Sequence, residues 1–375
     1  MPKRKLFIRI TQLGILIFLG IVLIPLVGVG LECRVFAGGT VGAENPAHTS
    51  AESRKITQGL SGYARSEDQT YLTLPEWYIV YSSEEYAAFI AQNRPSQFPY
   101  FQAIGQYWGS YYDVCAVTRD QYPFNTRYHT ILAVIGTSFT MENIVKGAYE
   151  NTVGRVTEWI SSDELTEEDA YARQVAQEYG DFLHTIPWFE FPFGEKLKGL
   201  WGETNLWGPN AIRKWERKFA LSLEYGVKSL YAWLIKRGNQ ASFSPMDLEI
   251  HIWVEGISDE VLQRAPEIRI VKAIDEQTAI AVVPRYEAFT KMAPRLARQG
   301  VQFVEIAGND EIMITAIADH AWEYNLEAGE FLFAMQILSQ PELKRIAVKV
   351  PVKSLHTVLT DLESSGVKIE HIYDY

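Results

Sequence analysis

Charged residues at helical spacing are the first candidates for chemistry in this sequence. Glu142, Lys146 and Glu150 are four residues apart, so on a helix they share one face, where opposite charges attract. His129 precedes Glu142 on the same predicted helix, about 20 Å away along the helix axis. We therefore expect an ion-pair ladder that orients neighbouring helices, rather than a catalytic or metal centre.

A second group of candidates lies on the next predicted helix. Glu178 and His184 are six residues apart, near opposite faces, and the Glu-x-x-His spacing of metal sites in helical bundles is absent. The sequence contains no P-loop, dinucleotide fingerprint, HExxH, nucleophile elbow or CxxC, so we predict no metal and no cofactor. If the protein is an enzyme, the candidate catalytic residues are His129, Glu142 and His184.

The stretch "HTIPWFEFPFGEKLKGLW", residues 184–201, concentrates large rings beside lysines. Trp prefers the interface between lipid and water, and lysines attract anionic headgroups. Three interpretations remain open: lipid contact, packing inside a helical domain, or a surface for a partner. The candidate membrane-contact residues are Trp188, Phe189, Phe193, Lys196, Lys198 and Trp201.

The two cysteines are Cys33 and Cys115. Their spacing fits no zinc motif. A disulfide between them is possible in an oxidising compartment, but two unpaired thiols are the simpler expectation.

The N-terminus carries the clearest signal. Basic residues 3–5 and Arg9 precede residues 10–31, which are uncharged and apolar, and about 20 such residues cross a bilayer. We predict a membrane anchor with its N-terminus in the cytoplasm and the remaining chain outside. The alternative is a cleaved signal peptide ending near residues 35–37.

Length and charge bound the remaining possibilities. The chain has 375 residues, of which 47% are hydrophobic. This length and hydrophobic content are enough for two ordered domains. The net charge is -11. An acidic chain argues against nucleic acid as the main partner, because phosphates need a basic surface. The predicted units are an anchor (1–37), a linker (38–69), a helical aromatic-rich domain (70–238) and a C-terminal domain (246–375).

Three long helices are predicted in the aromatic-rich domain. They span about residues 125–160, residues 167–184 after the cap Thr166, and residues 212–238. The last carries an apolar stripe at three- and four-residue steps, which would let it lie in the membrane interface or, as an alternative, form a second span. The stripe consists of Phe219, Leu223, Val227, Leu230 and Leu234.

The C-terminal domain alternates short β-branched runs with helices. Two segments repeat one unit of strand, Pro, helix, Gly and strand, with Gly300 and Gly366 as left-handed helix stops. This pattern predicts an α+β sandwich of the ferredoxin-like type. Residues 329–338 are read as a core segment too short to span a membrane. His371 and Tyr373 share one face of the last strand. We interpret this strand as an edge strand with a polar face; a small-ligand site on the sheet is the alternative.

Several segments resemble a family of uncharacterised bacterial membrane-anchored proteins. They are "LPEWYIVY", "GAYENTVGRVTEW", "RKWERKFALSLEYGVKSLYAWL" and "GVKIEHIYDY". The resemblance covers most of the chain after the linker and implies a bacterial envelope setting. It implies no activity and no catalytic residues.

The sequence therefore predicts a membrane-anchored envelope protein that binds or scaffolds at the membrane surface, with the lipid bilayer and a possible protein as partners. The alternative is an enzyme acting on a lipid or lipid-linked substrate. An enzyme should bring His129, Glu142 and His184 together in a concave pocket. A scaffold should pair them separately.

Overall fold

The computed structural model describes most of the chain after the N-terminus. Most of the predicted anchor, residues 10–31, and the alternative cleavage site at residues 35–37 lie outside the described part; residues 23–32 are helical. Across the described residues, no helix combines the length and the apolar character needed to cross a bilayer. The described residues are Gly20, 23–34, 51–65, 69–161, 164–238 and 248–374.

The first part of the described chain is helical. A short helix, α1 (Ala51–Ile56), precedes a group of longer ones. The helices of this region are α2 (Gln69–Gln92), α3 (Tyr100–Thr118), α4 (Thr126–Tyr149), α5 (Arg155–Ile160), α6 (Glu167–Leu183), α7 (Phe193–Glu203) and α8 (Ala211–Gly238).

The three long helices predicted from the sequence are confirmed. Asn125 caps α4, its side chain accepting from the Tyr128 amide, and Thr166 caps α6, its hydroxyl accepting from the Asp169 amide at 3.1 Å. Such caps satisfy amides that lack a partner inside the helix. One π-helical turn, Glu150–Gly154, joins α4 to α5, so the predicted helix over 125–160 is continuous but locally widened.

The C-terminal part forms two antiparallel sheets of four strands, with three helices. The first sheet contains β1 (Glu249–Glu255), β2 (Arg269–Ala273), β3 (Thr278–Pro284) and β4 (Gln302–Ile306), with α9 (Asp259–Arg264) and α10 (Glu287–Arg298). The second contains β5 (Glu311–Asp319), β6 (Glu330–Gln336), β7 (Leu343–Pro351) and β8 (Lys368–Ile372), with α11 (Leu355–Ser364).

The two sheets have equivalent strand orders. The first runs β2-β3-β1-β4 and the second β6-β7-β5-β8, so each places its first and last strands side by side. The repeated unit read from the sequence corresponds to β3–α10–β4 and β7–α11–β8. Gly300 and Gly366 have φ of 84° and 74°, as expected of left-handed helix stops. The core segment at 329–338 contains β6, a strand that its almost continuous apolar run did not reveal.

The C-terminal core lies between the sheets. Helices α10 and α11 pack against each other and against both sheets, and their buried faces join one cluster with the inner strands. Val348 and Leu359 in this cluster are fully buried, as the hydrophobic effect predicts for aliphatic strands and helices.

The opposite face of the second sheet packs on α2. Tyr81 of α2 contacts the hydroxyls of Thr315 (3.0 Å) and Tyr373 (2.8 Å), and Met313 lies in the same buried cluster. The helical and sheet regions therefore share a core. Part of the predicted linker is also packed, because Ser53 and Tyr63 donate to the Glu305 carboxylate at 2.7 and 2.8 Å.

Candidate functional site

The three candidate catalytic residues have different partners. His129 Nδ1 lies 2.9 Å from the hydroxyl of Tyr111. Glu142 forms an ion pair with Lys228 at 2.7 Å, and His184 contacts Glu84 at 2.5 Å. The structure therefore pairs each residue separately and does not assemble them into one pocket.

A cavity of about 100 Å³ lies among α2, α4, α6 and α8. Its lining combines aromatic rings with four charged side chains: Glu142 and Lys146 from α4, and Glu224 and Lys228 from α8. The predicted ladder residues thus do not pair with one another. Instead each bridges to α8, which is the helix-orienting role expected of them, with Glu150 reaching Arg217 at 2.8 Å.

The charges in the cavity hold one another in their ionised forms. Glu224 accepts from Lys146 and from Lys228, each at 3.2 Å. Burial raises the pKa of Glu224, but the two ammonium groups outweigh burial and bring it to about 2. Burial likewise disfavours the Lys146 ammonium, yet Glu224 and the Tyr86 ring leave its pKa raised. Burial also disfavours the Lys228 ammonium, yet Glu142 and Glu224 leave its pKa raised, so the carboxylates favour the cationic form of both lysines.

The start of α8 carries a second, buried ionic cluster. Arg213 reaches Asp169 (2.8 Å), and Arg217 reaches Glu150 (2.8 Å) and Glu216 (2.5 Å). Both arginines are almost fully buried. Removing ions from water is costly unless they are paired and hydrogen-bonded, and this cluster supplies both.

Helix α8 turns its apolar stripe outward. Phe219 is 63%, Leu223 55% and Val227 57% exposed. The stripe predicted from the sequence therefore exists, but it covers no part of the described core. Apolar side chains on α4 and α5 are also exposed, among them Val145 and Trp159, which is 85% exposed.

The aromatic segment 184–201 divides between core and surface. Phe193 is buried with Phe191 in a cluster that includes Leu200 and Tyr225. Of the three interpretations, packing inside the helical domain therefore fits Phe193, and this candidate is not available to lipid, because α6 and α8 already cover the ring.

The remaining candidates for lipid contact are partly or fully accessible. Trp188 and Phe189 are half-buried, and Trp201 is 50% exposed with its indole donating to Ser222. Lys196 pairs with Glu178, and Lys198 pairs with Glu195 at 2.7 Å. The two lysines are thus partly neutralised, which weakens them as a site for anionic headgroups.

Cys33 and Cys115 form a disulfide, with Cα atoms 4.8 Å apart. The expectation of two unpaired thiols is wrong, because the last turn of α3, which carries Cys115, lies beside the end of the helical residues 23–32. Cys33 Sγ also lies 3.8 Å from His129 Nδ1. Burial lowers the pKa of His129 to about 4, and its ring stacks on Phe124 at 4.2 Å.

The last strand does not present a polar face to water. His371 and Tyr373 share a face, as predicted, but both are buried beneath α2. The imidazole of His371 lies 3.7 Å from the Trp77 ring and 3.4 Å from the Thr290 hydroxyl. Burial, and then the nearby positive charges, lower the pKa of His371. Strand β8 is an edge strand, as predicted, because it stands last in the order of its sheet. The expectation that its polar face meets water is wrong, because His371 and Tyr373 are buried.

Sequence reasoning missed two groupings. The buried Arg213 and Arg217 lie four residues apart, opposite the apolar stripe, so their spacing carried a signal. Cys33, Cys115 and His129 are far apart in sequence, and no local pattern joins them.

The comparisons with known proteins add no family. No protein-family model, no curated protein and no solved structure matches this chain. The proposals below therefore depend on the residues and geometry described above.

Proposed function

We propose that this is a membrane-anchored protein of the bacterial envelope that binds or scaffolds at the membrane surface. Residues 10–31 are its anchor, and the helical region lies against the same bilayer. The C-terminal region is then a tandem of two ferredoxin-like units, a reading supported by the equivalent strand orders of its sheets.

One observation carries the proposal: α8 buries most of its charged side chains and exposes its apolar stripe. A helix facing water does the reverse. In a membrane, ionisable side chains face the protein interior and apolar ones face lipid. Arg217, 2% exposed, and Leu223, 55% exposed, follow the membrane pattern. We infer that the stripe of α8 rests in the bilayer interface, parallel to the surface.

The separate pairing of the candidate catalytic residues supports a non-enzymatic role. His129, Glu142 and His184 contact different partners. A catalytic constellation instead needs mutual geometry between nucleophile, base and orienting group.

The enzyme acting on a lipid or lipid-linked substrate remains the second candidate. The cavity lined by Glu142 supports it, because Glu142 is 46% exposed on its side chain. Incubating the purified protein with a labelled bacterial lipid extract tests it. Turnover that Glu142→Gln abolishes would favour the enzyme.

Site-directed spin labelling in liposomes tests the membrane proposal on the full-length chain. Nitroxides would be placed by Leu223→Cys and, in a second sample, by Val227→Cys, with the exposed Glu276→Cys of the sheet region as matched control. We expect collisions with oxygen, which concentrates in lipid, to exceed collisions with a water-soluble nickel complex at 223 and 227 only. Labels that match the control would contradict the proposal, as would labels shielded from both reagents, which would indicate a protein partner.

A further inference from the structure

Two sulfur atoms and one imidazole nitrogen meet at a buried point in the helical region. Their ligand atoms all lie within 4.8 Å of one another. Cys33 is 5%, Cys115 0% and His129 8% exposed. Among the described residues, this is the cluster of His, Cys, Asp or Glu whose spacing suits a metal ion.

Three separate elements converge there. Cys33 follows the helical residues 23–32, Cys115 lies in the last turn of α3, and His129 lies in the first turn of α4. Because α3 and α4 are antiparallel neighbours joined by a short connection, the end of one faces the start of the other. The fold itself therefore holds two of the three ligands in place.

Contacts other than the disulfide keep Cys33 at the site. Glu32 pairs with Arg119, and Arg34 pairs with Asp120 at 2.5 Å. Cys33 also belongs to the aromatic core of the helical region. Cleaving the sulfur–sulfur bond would thus leave both sulfurs close to the imidazole.

The orientation of His129 suits a ligand. Its Nδ1 faces Cys33 Sγ at 3.8 Å and the Tyr111 hydroxyl at 2.9 Å. Flat stacking on Phe124, with an angle of 7° between the rings, fixes the plane of the imidazole. A nitrogen held in this way needs little rearrangement to bind a cation.

We propose that reduction of the Cys33–Cys115 disulfide converts this point into a site for one thiophilic cation, with Cys33, Cys115 and His129 as ligands. Zn²⁺ is the divalent cation that fits best, because it prefers thiolate and imidazole in tetrahedral geometry. The oxidised protein does not bind it, since both sulfurs are then bonded to each other.

The exchange balances with a dithiol as reductant. The dithiol gives two electrons and two protons, becomes a cyclic disulfide and leaves two protein thiols. The cation then binds two thiolates and one neutral imidazole, and two protons are released to solvent. The site therefore has two exclusive states, disulfide and metal-bound. This inference does not depend on whether α8 contacts lipid.

Cobalt titration of the full-length protein in detergent tests the proposal. One sample is reduced with dithiothreitol, which is then removed under argon; the other stays oxidised. Co²⁺ is the probe, because thiolate ligands give it a charge-transfer absorption that imidazole or carboxylate ligands alone do not. We expect one Co²⁺ per reduced chain with this absorption, displaced by Zn²⁺, and none for the oxidised chain.

Variants identify the ligands. Cys115→Ser should abolish the absorption, and His129→Gln should weaken Co²⁺ binding at least tenfold. The matched control His184→Gln should leave binding unchanged, because His184 pairs with Glu84 elsewhere. Circular dichroism checks that each variant is folded.

Three results would overturn the proposal. They are a reduced wild-type protein without the thiolate absorption, equal binding by oxidised and reduced protein, and equal binding by His129→Gln and wild type. The first two use the native sequence, so they stand even if a variant does not fold.

Discussion

Strand β7 buries Val348 and Val350 completely. Helix α8 does the opposite, since its Arg217 is buried and its Leu223 is exposed. The sheet region gains free energy by removing aliphatic surface from water. The helical region meets the cost of buried ions by pairing them with one another. This contrast shows that α8 has an apolar outer surface that no described part of the chain covers, and the membrane proposal is based on that surface.

The first way to break this comparison is to remove one ion from the buried cluster. Arg217→Met leaves Glu150 and Glu216 without their nearest cation. We expect a loss of about 3–5 kcal/mol in the free energy of unfolding, measured by denaturation of the detergent-solubilised full chain. The control Arg237→Met, at an exposed position of the same helix, should cost less than about 0.5 kcal/mol. Equal costs would show that the cluster does not matter for stability.

The second test makes one chemical change in both regions. Leu359→Ala creates a cavity in the fully buried core of α11, whereas Leu223→Ala shortens an exposed side chain of α8. We expect about 2–5 kcal/mol for Leu359 and less than about 0.5 kcal/mol for Leu223. A large cost at Leu223 in thermal melts would mean that another part of the protein covers the stripe.

The third test uses acid. The folded pKa of Glu224 is lowered to about 2, so its contribution is present above the ordinary value of about 4.3 and is lost as the pH falls toward 2. We expect the contribution of Glu224 to the free energy of unfolding to be of the order of 2 kcal/mol. Stability measured from pH 6 to pH 2 should fall less steeply in Glu224→Gln than in the wild type. The surface control Glu276→Gln should keep the wild-type slope.

The smallest expected effect concerns His184. The hydrogen bond that His184 donates to the Glu84 carboxylate, the largest cause, raises the pKa of His184 despite partial burial. Its contribution is therefore complete below the ordinary value of about 6.5 and is lost as the pH rises through the raised folded value. Glu84 is 42% exposed, so we expect no more than about 1 kcal/mol. His184→Gln should remove this dependence in melts from pH 5 to pH 9, and the exposed His320→Gln should not.

Periodicity predicted three long helices of the helical region and most strands of the sheet region. The cap residue Thr166 located the start of α6, because capping is a local interaction. Gly300 and Gly366 marked helix ends for the same reason. Strand β6 was not predicted as a strand, because half-buried apolar residues on both of its faces hide the two-residue alternation.

The candidate site could be predicted only in part from the sequence. The spacing of Glu142, Lys146 and Glu150 showed that they share a face, and that face does orient a helix. Their partners on α8 were not predictable, because helix pairing depends on contacts distant in sequence. The burial of His371 beneath Trp77 escaped for the same reason.

The sequence by itself determined three of the long helices, most of the strands and the apolar stripe of α8, since these follow from local spacing and the two periods of helix and strand. Tertiary structure alone decided which way the stripe faces, since periodicity records that a helix has two faces and not which one is buried. It also decided the meeting of Cys33, Cys115 and His129. That meeting depends on how α3 and α4 pack, which is a long-range property of the whole chain.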